Sequence, residues 1–168
     1  MSSTPRIPFQ IFRPNNSYQS AVEKLNGQYE HFRTNVVQKD CIEKLKHWYP
    51  RGKAYLTQSA TAGLMMAADS IEFAPGDEII VPSFTFVSAL NPFVRRGVQV
   101  VFVPANKKTF GPDLDYVRQA ITPRTKAIMI MHYGGVPCAS HQEIIALRDL
   151  ARDQRIALIE DAATCFGS

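Results

Sequence analysis

The chain has 168 residues, of which 45% are hydrophobic and 20% are charged, and its formal net charge is +4. This length and composition exclude intrinsic disorder and fit one domain of ordinary size with a real core. The basic excess is mild, and its densest pairs, Arg95-Arg96 and Lys107-Lys108, are too short to indicate a nucleic-acid surface.

The cysteines and histidines indicate neither disulfides nor a metal centre. Cys41, Cys138 and Cys165 show no paired or metal-binding spacing, and the histidines are scattered. Such a pattern suggests a reducing compartment and no metal site. The N-terminus lacks an apolar signal core, and no apolar run approaches the roughly 20 residues of a membrane helix. We therefore expect a cytoplasmic, soluble protein with no membrane or nucleic-acid partner.

Residues 1–52 are predicted to form an N-terminal arm followed by two helices. Apolar residues recur at helical spacing from about Ser17, which predicts a first amphipathic helix. A second, shorter helix is predicted from Asp40, as its cap, through Trp48. Pro50 and Gly52 are typical of its end.

From residue 53 to residue 168, strand and helix patterns alternate. The predicted strands are 54–57, 78–82, 98–104, 126–133 and 156–161, and the predicted helices are 61–72, 86–96, 113–121 and 141–154. The last strand is a continuous apolar run, as expected of a buried parallel strand. This alternation predicts an α/β fold with a mostly parallel sheet and helices on both faces.

The loop 57–63, between the first predicted strand and its helix, contains small and hydroxyl-bearing residues. Free amides at a helix start favour an anion, most often phosphate, and Ser59 and Thr61 add hydroxyl groups. Neither a dinucleotide fingerprint nor a Walker pattern is present. An ordinary Ser/Thr helix cap is the alternative, and taken alone it is the better interpretation.

Three later stretches follow predicted strands. Phe84 and Phe86 are candidates to stack on a planar ligand, although most phenylalanines are core residues. His132, before the pair Gly134-Gly135, is either catalytic or a hydrogen-bonded histidine near the core, and the second is favoured. Asp161 ends the last strand and either holds a cationic group of a ligand or caps the next turn, which the pattern alone favours.

The order of these motifs resembles the DegT/DnrJ/EryC1/StrS family. The motifs are Ser-Ala-Thr-Ala-Gly at 59–63, Pro-Gly-Asp-Glu-Ile-Ile-Val-Pro-Ser-Phe-Thr-Phe-Val-Ser at 75–88, His-Tyr-Gly-Gly at 132–135 and Ile-Glu-Asp-Ala-Ala at 159–163. The family consists of pyridoxal-phosphate aminotransferases that act on nucleotide-linked keto-sugars. The resemblance implies part of the large domain of a fold-type I aminotransferase, a glutamate-type amino donor and a role in polysaccharide or surface-sugar biosynthesis.

The resemblance also implies roles for particular residues. Ala60 and Thr61 match the positions that hold the cofactor phosphate, and Phe86 matches the aromatic residue that stacks on the pyridine ring. Asp161 matches the acid that pairs with the protonated ring nitrogen. Thr164 stands where the family usually has Gln or His, so that cofactor contact is expected to differ.

No catalytic residue is identified within the 168 residues. By resemblance, the family's Schiff-base lysine lies downstream of Ser168, in a segment followed by a small C-terminal domain, and a Gly-Pro motif expected around 35–40 is missing. Without the lysine we expect no activity from this chain alone. A homodimer, or pairing with a complementary C-terminal chain, is implied. The alternatives are a truncated non-catalytic remnant that acts as a folding or binding module and a related dehydratase whose lysine is replaced.

Overall fold

The computed structural model describes residues 36–50 and 52–166, together with Ser20 and Glu23. The chain forms two compact units, Met1–Leu56 and Thr57–Ser168. In the first unit, helix α1 spans Val36–Trp48. It begins four residues before Asp40, so the predicted cap at Asp40 is wrong: that residue lies inside the helix and pairs with Lys44 at 2.7 Å. The helix predicted from Ser17 falls largely outside the described residues.

The second unit is built on a four-stranded parallel sheet with strand order β2-β1-β3-β4. The strands are β1 (Glu78–Pro82), β2 (Gln99–Val103), β3 (Thr125–Met131) and β4 (Ala157–Asp161), and the helices are α2 (Ala60–Ser70), α3 (Asn91–Val94), α4 (Leu114–Ala120) and α5 (His141–Gln154), with a short 3₁₀ helix at Val87–Ala89. The α/β class with a parallel sheet is confirmed.

Alternate residues of the strands point to opposite faces of the sheet, and both faces are covered. On one face, Ile79 and Met129 pack with Leu64 of α2 and Phe93 of α3. The other face has a separate core, whose members come from the intervening strand positions and from α4 and α5. That core includes Ile80, Ile128, Ile130, Val117, Leu147 and Leu150. The helices on both faces explain why these strands are continuous apolar runs.

Two predicted elements differ from the observed fold. Residues 54–57 were expected to form a strand, but no strand forms there and three of the four residues are exposed. A strand requires a hydrogen-bonded neighbour. In the described part of the chain the sheet ends at β2 and at β4, and residues 54–57 pair with neither of these edge strands. The helix predicted over 86–96 is divided into the 3₁₀ helix and α3, because Pro92 lacks the amide that a continuous helix would need there.

The chain leaves β1 and β3 towards opposite faces of the sheet. The connection after β1 leads to α3, which packs with the first core, whereas the connection after β3 leads to α5, which packs with the second core. β1 and β3 are hydrogen-bonded neighbours. A crevice therefore opens between their carboxyl ends, which is where parallel α/β sheets bind ligands.

Candidate functional site

The candidate site lies at the carboxyl edge of the sheet, where β1, β3 and β4 end at Pro82, Met131 and Asp161. Because the three strands are parallel, the loops that follow them emerge at the same edge. The register pairs Met131 with Asp161, so the two residues are direct neighbours across the β3–β4 ladder. The motifs that follow these strands are thus assembled in one place.

Helix α2 points its N-terminus towards this edge. The guanidinium of Arg96 donates to the carbonyl of Ala68 at 2.7 Å and pairs with Asp69, near the end of α2. Arg96 lies just before β2, at the opposite, amino edge of the sheet. The 11 residues of α2 span about 15 Å, close to the length of a five-residue strand. Its first residue, Ala60, therefore reaches the carboxyl edge.

The start of α2 offers backbone amides for an anion. Ser59 caps the helix: its hydroxyl oxygen accepts from the Ala62 amide at 3.1 Å, and its carbonyl accepts from Gly63 at 3.0 Å. The ordinary-cap interpretation is therefore confirmed for Ser59. Among the described residues, nothing accepts a hydrogen bond from the amides of Ala60 and Thr61. These two amides and the partial positive charge of the helix end are suited to phosphate.

The Asp161 carboxylate is buried with one oxygen still available. The residue is 8% exposed, and its Oδ1 accepts from the Ala163 amide at 3.0 Å. The turn-capping interpretation is thus realised at Oδ1. Within the described residues, no group donates to Oδ2. This oxygen is free to accept a charge-assisted hydrogen bond, so Asp161 is suited to a cationic N–H of a ligand.

The loop after β1 is held to β3 through Met131. The thioether Sδ of Met131 accepts from the Phe86 amide at 3.3 Å, and the Thr85 hydroxyl lies 3.9 Å from the same sulfur. The Phe86 side chain is 52% exposed, and Phe84 is also exposed. The alternative, that these two phenylalanines are core residues, is therefore wrong, and the ring of Phe86 is available to a ligand.

His132 is buried in a hydrogen-bond network rather than open to a ligand. Its Nδ1 accepts from the Cys138 amide at 3.0 Å, so the hydrogen is on Nε2, which donates to Glu160 Oε1 at 2.6 Å. The favoured interpretation of His132, as a hydrogen-bonded histidine, is confirmed. Burial raises the pKa of the nearby Cys138 thiol to about 11, and the charge of Glu160 adds to that shift. Cys138 is therefore no nucleophile at neutral pH.

Thr164 lies just after Asp161, and its hydroxyl donates to the His132 carbonyl at 3.0 Å. Its oxygen keeps lone pairs that can still accept a hydrogen bond. Gly134 and Gly135 both have positive φ, 65° and 81°, which explains the paired glycines of the turn after β3. This turn passes beside Thr164, whose carbonyl oxygen would be 3.6 Å from a Cβ at Gly135.

An aromatic cluster adjoins the site on the β2 side. The ring of Phe84 lies 4.9 Å from that of Phe110 and 5.0 Å from that of Tyr133, measured between centroids. The three residues follow β1, β2 and β3 respectively, so they link three loops of the carboxyl edge. Tyr133 and Phe110 were not predicted from the sequence as neighbours of the site. The alternation of strands and loops alone does not show which loops meet.

The arrangement fits pyridoxal phosphate. The start of α2 is suited to the phosphate, Oδ2 of Asp161 to a protonated ring nitrogen and Phe86 to one face of the ring. Thr164 is placed to accept one further hydrogen bond.

Across the described ranges, no group of three His, Cys, Asp or Glu side chains could hold a metal ion. No helix in this described part of the chain is long and apolar enough to cross a membrane.

The chain is similar to known aminotransferases. Residues 37–168 match the model of the DegT/DnrJ/EryC1/StrS aminotransferase family. A dTDP-4-dehydro-2,3,6-trideoxy-D-glucose 4-aminotransferase of Saccharopolyspora spinosa is 39% identical over 110 residues, which are 66% of this chain and 28% of the relative. The matched part of the chain thus spans about a quarter to a third of that relative's length.

Two solved structures are also similar. DesV of S. venezuelae, in complex with a ketimine intermediate, matches with a TM-score of 0.72 and 27% identity over 98% of this chain and 44% of its own. A putative sugar aminotransferase of Streptococcus pneumoniae in its pyridoxamine-phosphate (PMP) form matches with a TM-score of 0.67 and 28% identity. That match covers 77% of this chain and 35% of the other.

Proposed function

Because the chain belongs to the DegT/DnrJ/EryC1/StrS aminotransferase family, we propose that it is the cofactor-binding part of an aminotransferase that uses pyridoxal phosphate. We propose nucleotide-linked keto-sugars as its substrates and a glutamate-type amino acid as its donor. The relative from Saccharopolyspora spinosa is named for a reaction of this kind. The pneumococcal structure was solved in both PMP and PLP forms.

The observation that carries the proposal is the carboxylate of Asp161. It ends a strand at the ligand-binding edge, it is buried, and the described residues leave its Oδ2 without a donor. A cofactor with a protonated pyridine nitrogen supplies the missing donor. A negative charge in this position holds the proton on the ring nitrogen, because an opposite charge at close range favours the charged form.

The other residues of the site position the ligand. The amides of Ala60 and Thr61, with the Thr61 hydroxyl, bind the phosphate at the positive end of α2. Phe86 covers one face of the ring and excludes water from it. Thr164 supplies a hydroxyl where Gln or His is usual in the family. When bound, pyridoxal phosphate supplies an electron-accepting ring and carries the amino group from donor to acceptor.

Binding of the cofactor is the first test. Pyridoxal phosphate titrated into the chain should bind with 1:1 stoichiometry, as followed by its absorbance and by protein fluorescence. Pyridoxal, which lacks the phosphate, should bind at least tenfold more weakly because the contribution of the α2 N-terminus is lost. Equal binding of both compounds, or binding of neither, would remove the basis of the proposal.

We propose that these 168 residues do not catalyse the aminotransferase reaction without a further lysine. By resemblance, none of the lysines present corresponds to the family's Schiff-base lysine. They are Lys24, Lys39, Lys44, Lys46, Lys53, Lys107, Lys108 and Lys126. An assay with a keto-sugar nucleotide and glutamate should give no product from this chain alone, and product formation would refute this part of the proposal. The intact mass of the protein from its source tests whether it is 18.8 kDa or longer.

Association, location and pathway are also proposals. We propose a homodimer, or a complex with a complementary C-terminal chain, in the cytoplasm, in the synthesis of surface polysaccharide sugars. Exposed apolar side chains such as Phe102 on the edge strand β2 support association, since large exposed apolar groups are favourable to cover. Light scattering after gel filtration should give twice the chain mass for a homodimer. A monomer at every concentration would contradict it.

A further inference from the structure

We propose that Met131 is a positioning residue that fixes Phe86 relative to Asp161 through its thioether sulfur. The inference rests on the proposed function for its consequence, cofactor binding. The underlying contact belongs to the chain itself and can be tested without a cofactor. Sequence patterns give no indication of such a role, because a methionine at the end of an apolar strand is typical of the core.

The register places Met131 beside Asp161. The two residues are paired across the β3–β4 ladder, so their side chains lie on the same face of the sheet. Met131 is 6% exposed and belongs to the core under α2 and α3, together with Met129 and Ile159. The buried carboxylate of Asp161 and the thioether of Met131 are therefore adjacent groups on the face that carries the start of α2.

The sulfur of Met131 reaches in the other direction to the loop after β1. It accepts from the Phe86 amide at 3.3 Å, and Phe86 is the residue that immediately precedes the 3₁₀ helix. Thr85 directs its hydroxyl to the same sulfur at 3.9 Å, a weaker contact. Among the described residues, this sulfur is the one acceptor for the Phe86 amide. Its loss leaves a half-buried donor unpaired.

Met131 thus connects Phe86, which it contacts through its sulfur, with Asp161, which lies beside it across the ladder. Asp161 is proposed to contact the edge of the cofactor ring, and Phe86 its face, so the distance and angle between them decide whether one ring can satisfy both. Met131 sets that geometry from a strand, whereas Phe86 is 52% exposed and lies in the loop that leads into the 3₁₀ helix. A group fixed by a strand is positioned more accurately than one carried by a free loop.

Met131→Leu tests the inference, with Met129→Leu as the matched control. Leucine conserves volume but has no acceptor. Met129 lies two residues earlier on the same face and is fully buried, and within the described residues its sulfur accepts no hydrogen bond. Both variants lose one thioether from the same core. Thermal unfolding, compared for both, shows whether either substitution disturbs the fold as a whole.

The first readout is amide hydrogen exchange by NMR on the chain without cofactor. In Met131→Leu the Phe86 amide should exchange about fivefold to tenfold faster, as expected for one weak hydrogen bond. In Met129→Leu the Phe86 rate should stay within twofold of the wild-type rate. An unchanged rate in Met131→Leu, or an equal rise in both variants, would overturn the inference.

The second readout is the dissociation constant of pyridoxal phosphate. Met131→Leu should raise the dissociation constant several-fold, by about the same factor as the rise in the exchange rate of the Phe86 amide. Met129→Leu should leave the dissociation constant unchanged. If wild-type protein does not bind the cofactor, the proposed function fails while the exchange result still decides whether Met131 holds Phe86. If exchange rises but affinity stays the same in Met131→Leu, the bond exists without a positioning role and the inference is rejected.

Discussion

The backbone amide of His132 donates to the carbonyl oxygen of Asp161 at 3.0 Å. A second hydrogen bond joins the same two segments in the opposite direction: the Thr164 hydroxyl donates to the carbonyl of His132 at 3.0 Å. The turn that carries the Asp161 carboxylate is therefore fastened to the end of β3 on both sides. A carboxylate held in this way is pre-organised before any ligand arrives, which lowers the cost of ordering it on binding.

Thr164→Val should loosen this turn. Valine keeps the shape of the side chain but leaves the His132 carbonyl without its donor, so we expect a loss of about 1 kcal/mol in the free energy of unfolding. Thr164→Ser keeps the hydroxyl and should lose clearly less. Urea unfolding of the three proteins measures both values. A loss in Thr164→Ser as large as that in Thr164→Val, or larger, would contradict a dominant role for the hydroxyl group.

Glu78→Gln should destabilise the protein in a pH-dependent way. Glu78 is buried at the amino end of β1, where Thr122 donates to its carboxylate at 2.5 Å and the Arg124 side chain at 2.6 Å and 2.9 Å. The Thr122 hydrogen bond, and then the Arg124 guanidinium, hold the pKa of Glu78 below its usual value despite burial. We expect Glu78→Gln to cost about 1.5–3 kcal/mol at pH 7.

The sign of the pH effect follows from the lowered pKa. A carboxylate whose folded-state pKa is depressed contributes stability above its unfolded pKa of about 4.3 and loses it as the pH falls through the folded value. The stability difference between wild type and Glu78→Gln should therefore be constant above about pH 5.5 and shrink below about pH 4. Urea midpoints measured between pH 3 and pH 7 decide this. A difference that does not change with pH would show that the charge of Glu78 is not involved.

Gly111→Ala should destabilise by a steric route. A Cβ at Gly111 would overlap the carbonyl oxygen of Cys138, which is backbone and cannot rotate away. We expect a cost of about 2–3 kcal/mol in the free energy of unfolding. Gly134→Ala is the control: its φ of 65° is unfavourable for alanine, but a Cβ there meets nothing within 4 Å. That variant should lose only about 1 kcal/mol.

The sequence predicts the sheet well because its strands are continuous apolar runs. The bounds 78–82 for β1 and 141–154 for α5 agree with those observed. The helix predicted over 113–121 is observed as α4, and the Asp113 carboxylate caps it by accepting from the Asp115 amide at 3.0 Å. Residues 54–57 contain a shorter apolar pattern, but no strand forms there, since pairing is a property of neighbours and not of the segment. The helix over 86–96 was predicted from its apolar spacing, and that prediction gave too little weight to Pro92, at which the helix is interrupted.

The site was predicted through its carboxylate and its small residues rather than its supports. Asp161 and Ala60 stand at a strand end and a helix start, and their cofactor-binding roles are predictions from the family resemblance. The acceptor role of Met131 has no sequence signal, because the same residue type in the same strand, at Met129, is purely apolar packing. The exposure of Phe86 was equally hidden, since its environment depends on which loop lies over which strand end.

The measurement that tests the central claim most directly is the protonation of the ring nitrogen of bound pyridoxal phosphate, followed with ¹⁵N-labelled cofactor. Wild type and Asp161→Asn are compared, and Glu160→Gln is the matched control. Glu160 is the adjacent carboxylate, and it binds His132 on the other face of the sheet. We predict a protonated nitrogen at pH 8 in wild type and Glu160→Gln, and in Asp161→Asn an unprotonated nitrogen with at least tenfold weaker binding. The same protonation and affinity in Asp161→Asn as in wild type would contradict the account.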